Sequence, residues 1–140
     1  MDDRIILSGN NFSLSLDFRV FESDVSYSSN TILSVSVTSE GFSASATMDI
    51  DIKDIPLFCR ELKKVYDCLN VEAKIQEPYG ARQFILFSGD KCGHISISGT
   101  LNSGGANGFW QELKFENSID QTYIPRFMKE LNDISNQFVK

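Results

Sequence analysis

Ile50-Asp51-Ile52-Lys53-Asp54-Ile55-Pro56-Leu57-Phe58-Cys59-Arg60-Glu61-Leu62 returns half a chain later as Ile119-Asp120-Gln121-Thr122-Tyr123-Ile124-Pro125-Arg126-Phe127-Met128-Lys129-Glu130-Leu131. Ile-Asp, Ile-Pro, Phe and Glu-Leu recur in register, and Arg60 is answered by the like-charged Lys129. In each copy a strand-type pattern passes through an acidic turn and an early Pro into a 3.6-residue apolar period, the mark of a strand feeding a helix. A repeat at this spacing predicts one domain made of two related halves, about residues 1–70 and 71–140. Convergence on a common helix-entry motif would produce part of the same likeness, because the physics of such an entry favours those residues whatever the ancestry.

Upstream of the first copy, residues 12 to 20 alternate strictly, with Phe12, Leu14, Leu16, Phe18 and Val20 on one side and Ser13, Ser15, Asp17 and Arg19 on the other. That is a half-buried strand. The same period runs through Val35 and Val37, then through Phe42, Ala44, Ala46 and Met48, with Ser39-Glu40-Gly41 as the hairpin turn between them. Arg4 to Leu7 forms a short first strand ended by Gly9-Asn10. From Asp54 to Leu69 the period lengthens, placing Ile55, Phe58, Leu62, Val65, Tyr66 and Leu69 on one helical face. Pro56 sits in the opening turn, where no N–H is needed.

The second half repeats the order. Strands are predicted near Val71–Gln76, Gln83–Ser88, His94–Leu101 and Glu112–Glu116, joined by hairpin-type links at Glu77-Pro78-Tyr79-Gly80 and Gly89-Asp90-Lys91. A helix from Tyr123 to Phe138 buries Ile124, Phe127, Met128, Leu131, Ile134 and Phe138. The expected fold is α+β: an antiparallel sheet of about eight strands, in the order ββββα twice, with two helices packed on one face. The opposite face carries short hydroxyls and scattered charges, among them Ser13, Ser34, Ser43, Lys74, Ser98 and Lys114, and can stay wet. Asn102 to Gly108 is longer than a hairpin requires and is followed by Phe109-Trp110, so it reads equally as a functional loop or a tolerated insertion.

With 140 residues, 41% hydrophobic and 23% charged, the chain has the composition of a soluble domain. No apolar run of about 18 residues predicts a membrane span, and Met1-Asp2-Asp3-Arg4 lacks the features of a signal peptide, so cytoplasmic residence is expected. Nineteen carboxylates against thirteen Lys and Arg give a formal charge of −6. Spread along the chain, they disfavour nucleic acid and suit a basic protein partner. Cys59, Cys68 and Cys92 lack CxxC spacing and are read as buried apolar residues rather than bridges or metal ligands.

Catalytic chemistry is hard to assemble from these residues. His94 is the sole histidine and reads as structural, and there is no phosphate-binding loop, no nucleophile elbow and no zinc or calcium ligand set. Asp51, Asp54 and Asp120 stand where helix entries attract carboxylates, so capping is their expected role. Glu112 and Glu116, with Lys114 between them, point to water from a flat face rather than into a cleft. No cofactor, metal or enzymatic activity is expected. A toxin-neutralising binder, a small enzyme using His94 and an adaptor module or subunit without catalysis all remain open at this point.

The stretch Glu112-Leu113-Lys114-Phe115-Glu116-Asn117-Ser118-Ile119-Asp120-Gln121-Thr122-Tyr123-Ile124 resembles the C-terminal signature of the WapI family of bacterial immunity proteins. Gly41-Phe42-Ser43, then Phe58, Leu62 and Tyr66, then Glu72-Ala73 and Gly93-His94-Ile95 fall in the family's order, so the likeness spans about residues 30 to 138. Val71 stands where the family pattern has Gly, and the first thirty residues match only loosely. The resemblance implies a cytoplasmic antidote that binds the toxic C-terminal domain of a secreted contact-dependent toxin, commonly a nuclease. The signature itself is read as fold, with Ile119, Asp120, Thr122 and Tyr123 forming a helix entry. Partner-binding candidates are exposed acids beside aromatic residues: Glu22 and Asp24 near Tyr27, Glu77 beside Tyr79, and Glu112 near Trp110.

Overall fold

The computed structural model describes residues 4–67, 71–78, 82–89, 93–104 and 107–138. Eight strands follow the period-two segments: β1 (Arg4–Gly9), β2 (Phe12–Val20), β3 (Thr31–Ser39), β4 (Phe42–Ile50), β5 (Glu72–Gln76), β6 (Phe84–Gly89), β7 (His94–Ser103) and β8 (Gln111–Asp120). One helix closes each set of four, α1 (Ile55–Tyr66) and α2 (Ile124–Asn136). The ββββα order is therefore present twice. All pairing is antiparallel, and the ladders divide into two sheets, β1-β2-β3-β4 and β5-β6-β7-β8. Short links let successive strands pair directly within each half. Between β4 and β5 the chain passes through α1 instead, which carries it off the β4 edge, and among the described residues no ladder joins the halves.

The halves interlock rather than sit side by side. α1 packs on β5 and β6, α2 packs on β1, and the helices pack on each other, so each helix covers an edge of the sheet built by the other half. β8 lies over one end of the first sheet, where Gly9, Phe12 and Ser39 are register neighbours. Asn117 donates to the Ser39 hydroxyl at 3.0 Å, and the Phe115 and Phe12 rings stand 6.3 Å apart. In the same manner β4 runs beside β7 and past the start of β6, where the Gln83 amide donates to the Thr47 carbonyl at 2.8 Å.

Alternation places Leu14, Leu16, Leu33, Val35, Ile85, Phe87 and Ile97 in one shared apolar core, while the hydroxyl face of the first sheet stays outside. There the Ser36 and Ser45 hydroxyls meet across the β3–β4 ladder at 3.0 Å. The Glu40-Gly41 turn has positive φ at both residues (52° and 87°), which matches the twist of a two-residue hairpin. α1 ends earlier than its apolar period suggests. Asp67 caps it, and the expected continuation to Leu69 lies outside the described residues, as do Tyr79-Gly80, Asp90-Lys91, Cys68 and Cys92. β7 and β8 are longer than predicted, absorbing Asn102 and Ser103 at one end and Asn117 to Asp120 at the other.

Gly99 shows how tightly the second sheet is filled. A Cβ there would overlap the Phe84 carbonyl oxygen and stand 2.8 Å from the Phe115 ring, and the backbone oxygen cannot swing aside. Gly99→Ala should therefore cost about 1 to 3 kcal/mol. Thermal denaturation checks this, with Gly104→Ala, where the added carbon meets nothing within 4 Å, as the neutral control.

Candidate protein-binding surface

Between β2 and β3 the chain makes an excursion held at its neck by the Phe21 N–H donating to the Asn30 carbonyl at 2.9 Å. Asn30 is only 1% exposed and forms the hub of this excursion. Its amide nitrogen lies within hydrogen-bond reach of the Tyr27 carbonyl (2.8 Å), the Asp51 carboxylate (2.9 Å) and the Val25 carbonyl (3.2 Å). Its oxygen accepts from the buried Ile52 N–H at 2.9 Å and the Thr31 hydroxyl at 2.7 Å. Lys53 adds a second tie, its ammonium donating to the Val25 and Tyr27 carbonyls while pairing with Asp51 at 3.1 Å. The loop is thus fixed to the 3₁₀ turn Ile52–Asp54 that leads into α1. It presents Glu22 and Asp24, both exposed on their own short 3₁₀ turn, and Tyr27, 68% exposed.

Asp51 and Asp120 occupy equivalent positions and perform the capping expected of them. Each carboxylate accepts the N–H two residues on, Lys53 and Thr122 respectively, at 2.9 Å. Asp54 does not fulfil that expectation, since its side chain makes no capping bond; burial and the neighbouring Asp51 push its pKa up. For Asp51 burial also acts upward, yet the hydrogen bonds from the Lys53 N–H, Asn30 and the Lys53 ammonium, with the charge of Lys53, outweigh it and hold the carboxyl below its usual range. A depressed folded-state pKa stabilises the fold fully above the unfolded value and loses that contribution as pH falls through the folded one. Between about pH 5 and about pH 3 the wild-type protein should therefore lose more stability than Asp51→Asn, measured by urea denaturation at each pH.

The other candidates gather near β4. Glu77 is half-buried rather than free at the surface, accepting from the Asp49 N–H and from Gln83, both at 3.2 Å. Trp110 is 53% exposed, with the Arg82 guanidinium 5.8 Å above its ring, and Glu112 is exposed on β8. The chain contact from Arg82 to Gln83 thus links Trp110 to Glu77, while Glu22, Asp24 and Tyr27 form a second, separate group on the β2–β3 loop. Tyr79 lies outside the described residues. Inspection of sequence missed Asn30, Lys53 and Gln83, whose roles come from long-range polar contacts, and the exposed Phe42 and Phe109. Phe42 continues the apolar period of β4, so only the end of that strand running out beyond the core exposes it.

Two further grooves answer one another under the repeat. Asp54, Leu57, Phe58 and Glu61 of the first helix entry line one beside β5, and Tyr123, Arg126, Phe127 and Glu130 of the second line the other beside β1. They differ in lining, apolar Leu57 being replaced by Arg126. His94 stands exposed at the start of β7, opposite Asp120 in the ladder, rather than recessed in a cleft. Cys59 is buried, which pushes its thiol up to about 11. Among the described residues, no three His, Cys, Asp or Glu side chains come together as metal ligands, and no helix is long and apolar enough to cross a membrane.

The sequence that builds these two interlocked ββββα units matches the family described as immunity protein WapI-like over residues 4–139. The chain belongs to the WapI-like immunity protein family. The match takes in the N-terminal residues whose likeness was loose by eye. A comparison with curated proteins finds no match. Membership assigns the chain an immunity role and a toxin as its protein partner, and immunity proteins of this kind generally act without catalysis. The matching segment includes both helix entries, which here serve the fold: Ile119 is 3% exposed, Ile124 fully buried and Asp120 a cap.

Proposed function

We propose that this immunity protein resides in the cytoplasm and neutralises the C-terminal toxic domain of a secreted bacterial toxin, a basic nuclease domain, by binding it and performing no chemistry of its own. The family match over nearly the whole chain carries this reading. The formal charge of −6 supports a basic partner, because opposite net charges speed the encounter while short-range packing sets the lifetime. Glu22, Asp24 and Tyr27 form one contact group, fixed in advance by Asn30 so that little ordering entropy is lost on binding. Glu77, Trp110 and Glu112, with Tyr79, form the other.

The test uses the C-terminal domain of the secreted toxin encoded beside this chain. Co-expression should protect cells from that domain, and association of the purified proteins should slow steeply with added salt while dissociation changes little. Reversing Glu22 with Asp24, or Glu112 alone, should slow association and leave the melting temperature unchanged. Protection that persists with no dependence on salt or on either reversal would remove electrostatic capture, and an absence of protection would remove the neutralisation reading itself.

A further inference from the structure

Each four-stranded sheet has two edges, and an uncovered edge presents unpaired N–H and C=O groups. β1 has α2 against it and β5 has α1, while β8 is laid over the end of the first sheet. β4 is different. Thr47 and Asp49 direct their backbone groups away from β3, and each is capped by a side chain: Gln83 donates to the Thr47 carbonyl at 2.8 Å and Glu77 accepts from the Asp49 N–H at 3.2 Å. Antiparallel alternation points Ser43 and Ser45 the same way. Among the described residues no side chain caps either of them.

Alongside this uncapped stretch a groove of about 200 Å3 opens between β4 and the β7–β8 pair, floored by Ala44, Ala46, Leu101 and Leu113. Asn102 lines it, and among the described residues its buried amide nitrogen has no hydrogen-bond partner. Phe42, Phe109 and Trp110, respectively 69%, 73% and 53% exposed, adjoin the lining segments. Carboxylates dominate the surroundings. Glu40 precedes β4, Asp49 and Glu77 stand at its far end, and Glu112 and Glu116 flank Lys114 on β8; Arg82 is held over the Trp110 ring.

We propose that the uncapped edge of β4, from Phe42 to Ala46, receives a short extended segment of the toxin domain bearing Lys or Arg, which adds to the first sheet as a fifth strand. This rests on the neutralisation reading above. Alternate side chains of an added strand face opposite ways, so apolar residues of the segment enter the groove and basic ones meet the Glu40, Glu77 and Glu112 carboxylates.

Hydrogen exchange of the wild-type protein, alone and with the toxin domain encoded beside it, tests this directly. The Ser43 and Ser45 amides should slow on binding. Ser43→Pro, which removes a donor from the free edge without breaking the β3 ladder or the Ser36–Ser45 bond, should weaken binding about tenfold or more while the melting temperature holds. Trp110→Ala should weaken binding as well. Unchanged exchange at Ser43 and Ser45 in a complex that does form would overturn the strand-addition site and leave neutralisation standing. Exchange already protected there in a protein that light scattering shows to be a dimer would give the edge to a second copy and also overturn it. Failure of the toxin domain to bind wild-type protein at all would overturn both readings.

Discussion

Phe87→Ala will cost the protein about 3 to 5 kcal/mol, a large part of the stability of a domain this size. Phe87 is fully buried on the inward face of β6, with the Phe58 ring of α1 at 5.5 Å and the Phe127 ring of α2 at 5.8 Å. It is the point where both helices meet the second sheet. Its register neighbours are Ala73 and Ile97, and the methyl of Ala73 is too small to fill the space left behind. The denaturant midpoint should fall with little change in the slope of the transition. Phe58→Ala and Phe127→Ala should each cost a similar amount. Either one combined with Phe87→Ala should cost less than the sum, because the rings touch. A midpoint unmoved by Phe87→Ala would show that the two helices do not share this contact.

Asn30→Ala should cost on the order of 3 kcal/mol although only a few atoms are removed, since it leaves the buried Ile52 N–H without an acceptor and removes the Asn30 ties to Val25 and Tyr27, leaving those of Lys53. The change should reach function as well as stability. With its anchor weakened to the Lys53 and Phe21 ties, the loop carrying Glu22, Asp24 and Tyr27 must be ordered further at the moment of binding, so toxin affinity should fall even at a temperature where the variant is fully folded. Binding measured well below the melting transition separates the two effects. Wild-type affinity in a destabilised but folded Asn30→Ala would show that the loop lies outside the interface.

The helix entries were legible residue by residue. Ile55, Phe58, Leu62 and Val65 of α1, and Ile124, Phe127, Leu131 and Ile134 of α2, are the buried residues that their spacing predicts. So were the strand faces from Leu14 and Val35 to Ile97, because burial on one side of a strand or helix is written as a period of two or 3.6 in the sequence itself. The family was legible for the same reason, its landmarks being those faces and turns in order. The candidate surface was legible only in part. Exposure of Tyr27 and Trp110 followed from their places in connecting segments, whereas the half-burial of Glu77 did not.

What the sequence determined by itself was therefore the list of elements, the side each residue faces, and the two capped entries at Asp51 and Asp120. Tertiary structure alone decided that the strands divide four and four, that each helix crosses to the other half's sheet, and that Asn30 and Gln83 are structural hubs. It also left the Ser43 and Ser45 edge of β4 without a side-chain cap among the described residues. Periodicity is imposed by neighbours a few residues away and so leaves a local trace. The pairing of edges and the satisfaction of buried polar groups are instead imposed by residues such as Thr47 and Gln83, far apart along the chain, whose meeting has no signature in either segment.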